Sequence, residues 1–289
     1  MKVRITTGII SAVFVIAMLV FTGLGYPGAA SIPMGLVAAI AAYEMMRVSK
    51  CKNKVLTGVS MAVAALIPAY VDFKVQEMIP VPVSVLLTVY IVAMLIIMLK
   101  HYETTKFEHV ALALFGSLVI PAALGTIFGI RNLCFDYPDL FQRSHTVFLI
   151  LFAMYCAWMS DTCAYFAGRF LGKHKLAPKI SPKKTVEGAI GGVLGNMIVC
   201  VITFLICDKF FFFIDTIKLW MVVVVSIIVS ILGIFGDLSA SVIKRNFGEK
   251  DFGNLFPGHG GVLDRIDSFL VAAPATYAII QIGLAIAGK

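Results

Sequence analysis

The sequence predicts an all-α, polytopic integral membrane protein of about nine transmembrane helices, and three observations predict it. Of its 289 residues, 60% are hydrophobic, above the roughly 45–50% of an ordinary globular domain. Only 14% are charged, where about 25% is usual. Those few charges cluster between long runs that carry none. Too little polar surface remains to cover a soluble fold, which excludes a soluble enzyme, a disordered chain and a secreted disulfide scaffold.

A helix needs about 20 mostly apolar residues to cross the hydrocarbon layer. No charge occurs from Ile5 to Tyr43, and Gly23-Leu24-Gly25-Tyr26-Pro27-Gly28 divides that stretch into spans near 5–23 and 29–46. Further charge-free runs are Val55–Val71, Met78–Leu99, Val110–Ile130, Gly188–Cys207, Leu219–Gly236 and Ser268–Gly288. A span from about 145 to 168 is apolar except for Asp161. These runs are too long and too evenly apolar for the roughly ten-residue alternating strands of an outer-membrane barrel. The first run follows a basic Met1-Lys2-Val3-Arg4. It exceeds the roughly 7–15 apolar residues of a signal-peptide core, so it reads as a span and not a cleaved leader.

With nine spans, the connecting segments alternate between two sides, and 18 of the 24 basic residues fall on one of them. The positive-inside bias puts that side and the N-terminus in the cytoplasm and the C-terminus outside. The expected location is the plasma membrane, multi-pass. Two regions are expected. Residues 1–140 form an N-terminal region of about five spans, and 141–289 a C-terminal catalytic region of about four spans with basic cytoplasmic loops.

The first region is chemically plain. Glu44 stands three residues before Arg47, so a local helix ion pair accounts for it. The basic run Arg47–Lys54 fixes topology and touches anionic lipid heads. His101 and His109, beside Glu103 and Glu108, show no metal spacing. None of the six cysteines forms a C-x-x-C pair, and they read as free thiols.

The second region gathers three features on the basic side. Asp161, within Ser160-Asp161-Thr162, sits in an apolar span, where a carboxylate is a functional candidate by default. The loop Gly168–Glu187 carries six positive charges and no acid before Glu187. Within it, Ser181-Pro182-Lys183-Lys184-Thr185 leads into a helix whose N-terminal amides favour an anion. Gly188, Gly191, Gly192 and Gly195 then form small-x-x-x-small spacings suited to close helix packing. The third feature runs from Asp237, through Ser241, Lys244, Arg245, Lys250 and Pro257-Gly258-His259-Gly260-Gly261, to Asp264-Arg265-Ile266-Asp267. On a helix, Asp264 and Asp267 would share a face about 5–6 Å apart, which a bound cation would relieve. Oxygen-only ligands near phosphates suit Mg²⁺. A salt-bridge network with Lys244, Arg245 and Arg265 would explain the charges but not the glycines. His259 has no triad partner and reads as a loop histidine satisfied by local hydrogen bonds.

The stretch Ser241-Val242-Ile243-Lys244-Arg245, then Lys250-Asp251-Phe252-Gly253, then Phe256-Pro257-Gly258-His259-Gly260-Gly261-Val262-Leu263-Asp264-Arg265-Ile266-Asp267 resembles the signature of the phosphatidate cytidylyltransferase (CDP-diacylglycerol synthase) family. An earlier block of that family is similar to Asp161–Arg169 and Lys179–Gly188, with Cys163 where glycine is usual. The motif-bearing likeness covers about 155–270. It implies cytidylyl transfer from CTP to phosphatidate, giving CDP-diacylglycerol and pyrophosphate for phospholipid biosynthesis. It further implies Mg²⁺ held by Asp237, Asp264 and Asp267 with Asp161 close by, a second cation being admissible. Lys244 and Arg245 would act with the acids in catalysis. Ser181, Lys183, Lys184, Thr185, Ser241, Lys250, His259, Gly260, Gly261 and Arg265 would bind substrate. The partners are then CTP, phosphatidate and membrane lipids, with no nucleic acid and with a homodimer admissible. A CTP-dependent lipid kinase and an ion-coupled transporter stay open as rivals. The gathering of charge on one face argues against the transporter.

Overall fold

The computed structural model describes residues 16–17, 20–21, 28–73, 81–211, 217–256, 258 and 260–288. The expected first span, 5–23, lies outside the described residues apart from helical positions at 16–17 and 20–21. Among the described residues, eight helices are long and apolar enough to cross a bilayer. They are α1 (Ser31–Val48), α2 (Lys54–Asp72), α3 (Val83–Lys100), α4 (Phe107–Asp136), α5 (Arg143–Leu171), α6 (Val186–Phe211), α7 (Leu219–Asn246) and α9 (Phe269–Ile286), with a four-residue helix α8 (Leu263–Ile266) before the last. Each of the eight falls on one of the apolar runs.

The chain forms two compact units. Unit 1 comprises Met1–Gly129 and Phe247–Arg265, so the signature segment after α7 packs with the N-terminal helices. Unit 2 comprises Ile130–Asn246 and Ile266–Lys289.

In unit 1, α1 and α2 approach closely at Gly35, where a Cβ would strike the Ala65 carbonyl oxygen. Asn53 starts α2 by accepting from the Val55 and Leu56 amides at 3.0 and 3.1 Å, which satisfies two of the helix's orphan donors. Its own amide donates to Thr105 Oγ1 at 2.9 Å. The far end of α2 is held by Asp72, which accepts from the Gly28 amide at 2.8 Å. One wide π-type turn interrupts α4 over Phe115–Val119. There Gly116 lies against Ala42 and Met45 of α1, and Ser117 meets Tyr90 of α3 at 2.6 Å. Met46, Leu56, Met94, Val110 and Ala113 make the buried core between these helices.

In unit 2, α5 has 29 residues, about 43 Å at 1.5 Å per residue, against a hydrocarbon layer of roughly 30 Å. At 28 residues, α7 is nearly as long, and both exceed the length that an untilted span requires. The glycine stripe of α6 packs on α5 as its spacing predicts. A Cβ on Gly192 would sit 2.8 Å from Ala164 Cβ, and one on Gly195 would sit 2.8 Å from Cys163. Cys163, where the resembled family has glycine, thus fills the notch opposite Gly195. Between α6 and α7, buried Asn196 donates to Ser230 Oγ at 2.8 Å, a polar link inside an apolar interface. All six cysteines are free thiols.

One addition to the all-α plan lies between α5 and α6. Lys175–Ala177 (β1) and Ser181–Thr185 (β2) pair antiparallel as a bulged hairpin. Its base is closed by Glu187, which accepts from the Lys173 and His174 amides at 3.0 and 3.2 Å. The sequence reads Ser181–Thr185 as the end of a basic loop leading into the helix; it is instead a strand that ends where α6 begins.

Candidate active site

In unit 2 the polar side chains converge on Lys184. This lysine, carried by β2, pairs its ammonium with Asp237 Oδ2 of α7. Burial pushes Lys184 below the usual lysine value, the negative charges of Asp161 and Asp267 pull it back up, and the charge of Lys244 pushes it down again. Three acids and two lysines therefore feel one another around this ammonium. Ser268, itself buried, joins two of the acids. Its hydroxyl donates to Asp161 Oδ2 at 3.1 Å and its amide to Asp267 Oδ1 at 2.9 Å. Asp237, Ser241 and Lys244 recur at helical spacing and lie along one face of α7, the last two buried. The exposed Arg245 donates from Nε to the Ile180 carbonyl at 3.3 Å, tying the end of α7 to the hairpin.

Thr185 has a local duty. Its Oγ1 accepts from the Gly188 amide at 3.1 Å, capping the first turn of α6. Ser181 is half-buried, and Lys183 is exposed on the same strand.

In unit 1, Asp264 is tied to its own loop. Its Oδ2 accepts from the Phe252 amide at 2.8 Å and the Gly261 amide at 2.9 Å. Gly260 passes through the left-handed region at φ +86° directly beside this carboxylate, a position that favours glycine because a Cβ would meet Asp264 Oδ2 at 2.8 Å. Lys250 and Arg265 are exposed. His259 lies outside the described residues. The helical face expected to join Asp264 and Asp267 is cut short, because α8 ends at Ile266 and Asp267 stands in the turn that follows.

Glu44 corrects the reading of the first half as plain. It is 3% exposed and accepts from the Val262 amide at 2.9 Å and the Leu263 amide at 2.8 Å, 218 and 219 residues along the chain. Arg47 Nη1 donates to the Phe252 carbonyl at 3.4 Å, so it too serves the signature segment. The Arg47 charge does act on Glu44, as the helical spacing suggested, but spacing reports only neighbours on the same helix and could not show the amides of Val262 and Leu263. The rule that singled out Asp161, an acid within an apolar helix, would also have flagged Glu44. Ser268 carried no such signal.

Among the described residues, no group of three or more His, Cys, Asp or Glu side chains is gathered tightly enough to hold a metal ion. Asp161, Asp237 and Asp267 offer hard oxygen donors, the kind Mg²⁺ prefers, around the Lys184 ammonium.

The structure is a helical membrane scaffold with acids and lysines clustered beside a short hairpin. The model of the cytidylyltransferase family matches residues 2–283. A phosphatidate cytidylyltransferase of Staphylococcus haemolyticus (strain JCSC1435) is 35% identical over 277 residues, which covers 95% of this chain and 96% of the relative. One of Staphylococcus aureus (strain COL) is 34% identical over 278 residues, with the same coverage of 95% and 96%. A third, from Staphylococcus saprophyticus, is 39% identical over 132 residues, 46% of this chain and 48% of that relative. The chain belongs to the cytidylyltransferase family and is a nucleotidyltransferase of the membrane.

Proposed function

We propose that the protein transfers the cytidylyl group of CTP to phosphatidate at the cytoplasmic face of the plasma membrane, with its N-terminus inside. A phosphate oxygen of phosphatidate attacks the α-phosphorus of CTP. The new P–O–P bond forms as the bond to the β-phosphate's bridging oxygen breaks, and pyrophosphate leaves with that electron pair. The attacking group is already an anion at neutral pH, so no general base is required. The barrier lies in bringing two polyanions together, and positioning with charge neutralisation lowers it.

The observation that carries this reading is the cluster around Lys184, where Asp161, Asp237 and Asp267 meet the charges of Lys184 and Lys244. Lys244 and Arg245 would neutralise the phosphates of the two substrates. Ser181, Lys183 and Lys184 would orient them from the hairpin, with Ser241, Lys250 and Arg265 as further contacts. Asp237, Asp264 and Asp267, with Asp161, would hold Mg²⁺. The ion would supply charge neutralisation at the transferring phosphoryl group.

The test is product identity. Purified protein in lipid nanodiscs, given CTP labelled at the α-phosphorus, phosphatidate and Mg²⁺, should release pyrophosphate and place the label in a CDP-lipid. Chelating the Mg²⁺ should stop the reaction, and restoring it should recover the rate. Label at the γ-phosphorus moving to a lipid alcohol, with no CDP-lipid formed, would establish a kinase instead.

A further inference from the structure

Glu44 is buried in a helix whose sequence looked chemically plain, and its carboxylate is held by backbone amides. Each oxygen takes one backbone amide, Oε1 that of Val262 and Oε2 that of Leu263. The next residue, Asp264, receives the amides of Phe252 and Gly261. The segment is thus strapped twice, from within by Asp264 and from α1 by Glu44. Two glycines make room for the second strap. A Cβ on either Gly253 or Gly261 would collide with the Glu44 carboxylate. Arg47, one helical turn further along α1, donates to the Phe252 carbonyl and so holds the same segment. The glycines of the signature therefore have a physical purpose beyond freedom of φ: they admit a carboxylate from a distant helix.

We infer that Glu44 is a positioning residue for cytidylyl transfer, fixing the backbone at Val262–Leu263 and through it the direction in which Asp264 presents its carboxylate. This rests on the function proposed above, since it gives that reaction a residue outside the signature. Glu44 acts through this backbone, since both of its oxygens are taken by amides. A glutamine at this position keeps the size but offers a single acceptor oxygen, and it turns an N–H₂ toward an amide that is itself a donor. One strap is lost and a repulsion replaces it.

The experiment pairs amide hydrogen exchange with kinetics on the full-length protein in nanodiscs. In the wild type, the Val262 and Leu263 amides should exchange at least about tenfold more slowly than those of exposed Asn254 and Leu255. Glu44→Gln should erase that protection while leaving exchange in α5 and α7 unchanged. Turnover per folded molecule should fall about 10- to 100-fold, the usual effect of removing an outer support of a ligand set. The Mg²⁺ concentration for half-maximal rate should rise, with the KM for phosphatidate unchanged. Gly253→Ala, which displaces the same carboxylate from the other side, should reproduce this pattern.

Fast exchange at Val262 and Leu263 in the wild type overturns the inference whatever the variants do. So does a loss of rate in Glu44→Gln that merely follows the folded fraction, at unchanged Mg²⁺ dependence. Wild-type protein that makes no CDP-lipid sinks the functional reading instead, and the exchange data then still judge the strap.

Discussion

The acids of the two units are satisfied in different ways. In unit 1, Glu44 and Asp264 accept from backbone amides, four donors that cannot leave without the loop itself moving. In unit 2, Asp267 also takes a backbone amide, that of Ser268, but Asp237 and Asp161 meet the Lys184 ammonium and the Ser268 hydroxyl, which are side-chain groups that can rotate away. An amide-held carboxylate is part of the scaffold, because removing it strands buried N–H groups. A carboxylate facing a flexible cation can exchange that partner for a ligand. The contrast separates acids fixed by backbone amides from acids whose side-chain partners can be exchanged.

The largest effect that would sharpen this contrast is expected at Asp237. Asp237→Asn should lower CDP-lipid formation by on the order of 10²–10³-fold, the range seen when one preorganised charge is removed from a transition-state site. Thermal unfolding followed by intrinsic fluorescence should shift little, because Lys184 retains other acids nearby. An Asn variant that kept its rate would remove Asp237 from the chemistry.

Asp264→Asn should differ in kind. Turnover should fall, but stability should fall too, by about 1–3 kcal/mol, because a weaker acceptor must hold the Phe252 and Gly261 amides. Equilibrium unfolding of Asp237→Asn and Asp264→Asn side by side tests the distinction. Equal stability losses would break it.

Lys184 offers a test through pH. Its charged form is the one that pairs with Asp237, and burial lowers its value from the ordinary 10.5. The pair is therefore lost as pH rises through the lowered value, so activity should decline on the alkaline side before an ordinary lysine would titrate. Lys184→Arg keeps its charge to higher pH and should move that limb upward, even if its overall rate is reduced. A wild-type rate flat through pH 10 would place Lys184 outside the chemistry.

The smallest effect belongs to Cys163. Cys163→Gly restores the residue usual in the resembled family and leaves a small gap opposite Gly195. A stability loss of roughly 1 kcal/mol or less is expected, with turnover within about twofold of wild type. A large gain in rate would mean that the thiol restricts helix movement during turnover.

Hydropathy made eight helices legible, because a span is a local property. About 20 apolar residues cross a bilayer whatever surrounds them, and every backbone group in the hydrocarbon must bond within its own segment. The signature residues were legible as well, because their order along the chain is the signal. The hairpin was missed because β2 has the composition of a basic loop, with Pro182 and two lysines, and only pairing with Lys175–Ala177 makes it a strand.

Sequence by itself therefore determined that this protein is a helical membrane cytidylyltransferase and which residues carry its charge. Tertiary structure alone decided which partner each charge has. Lys184 meets Asp237 across 53 residues, and Glu44 meets Val262 across 218. Such pairings are set by helix packing and by the space that small residues leave, and no periodicity within a single segment encodes them.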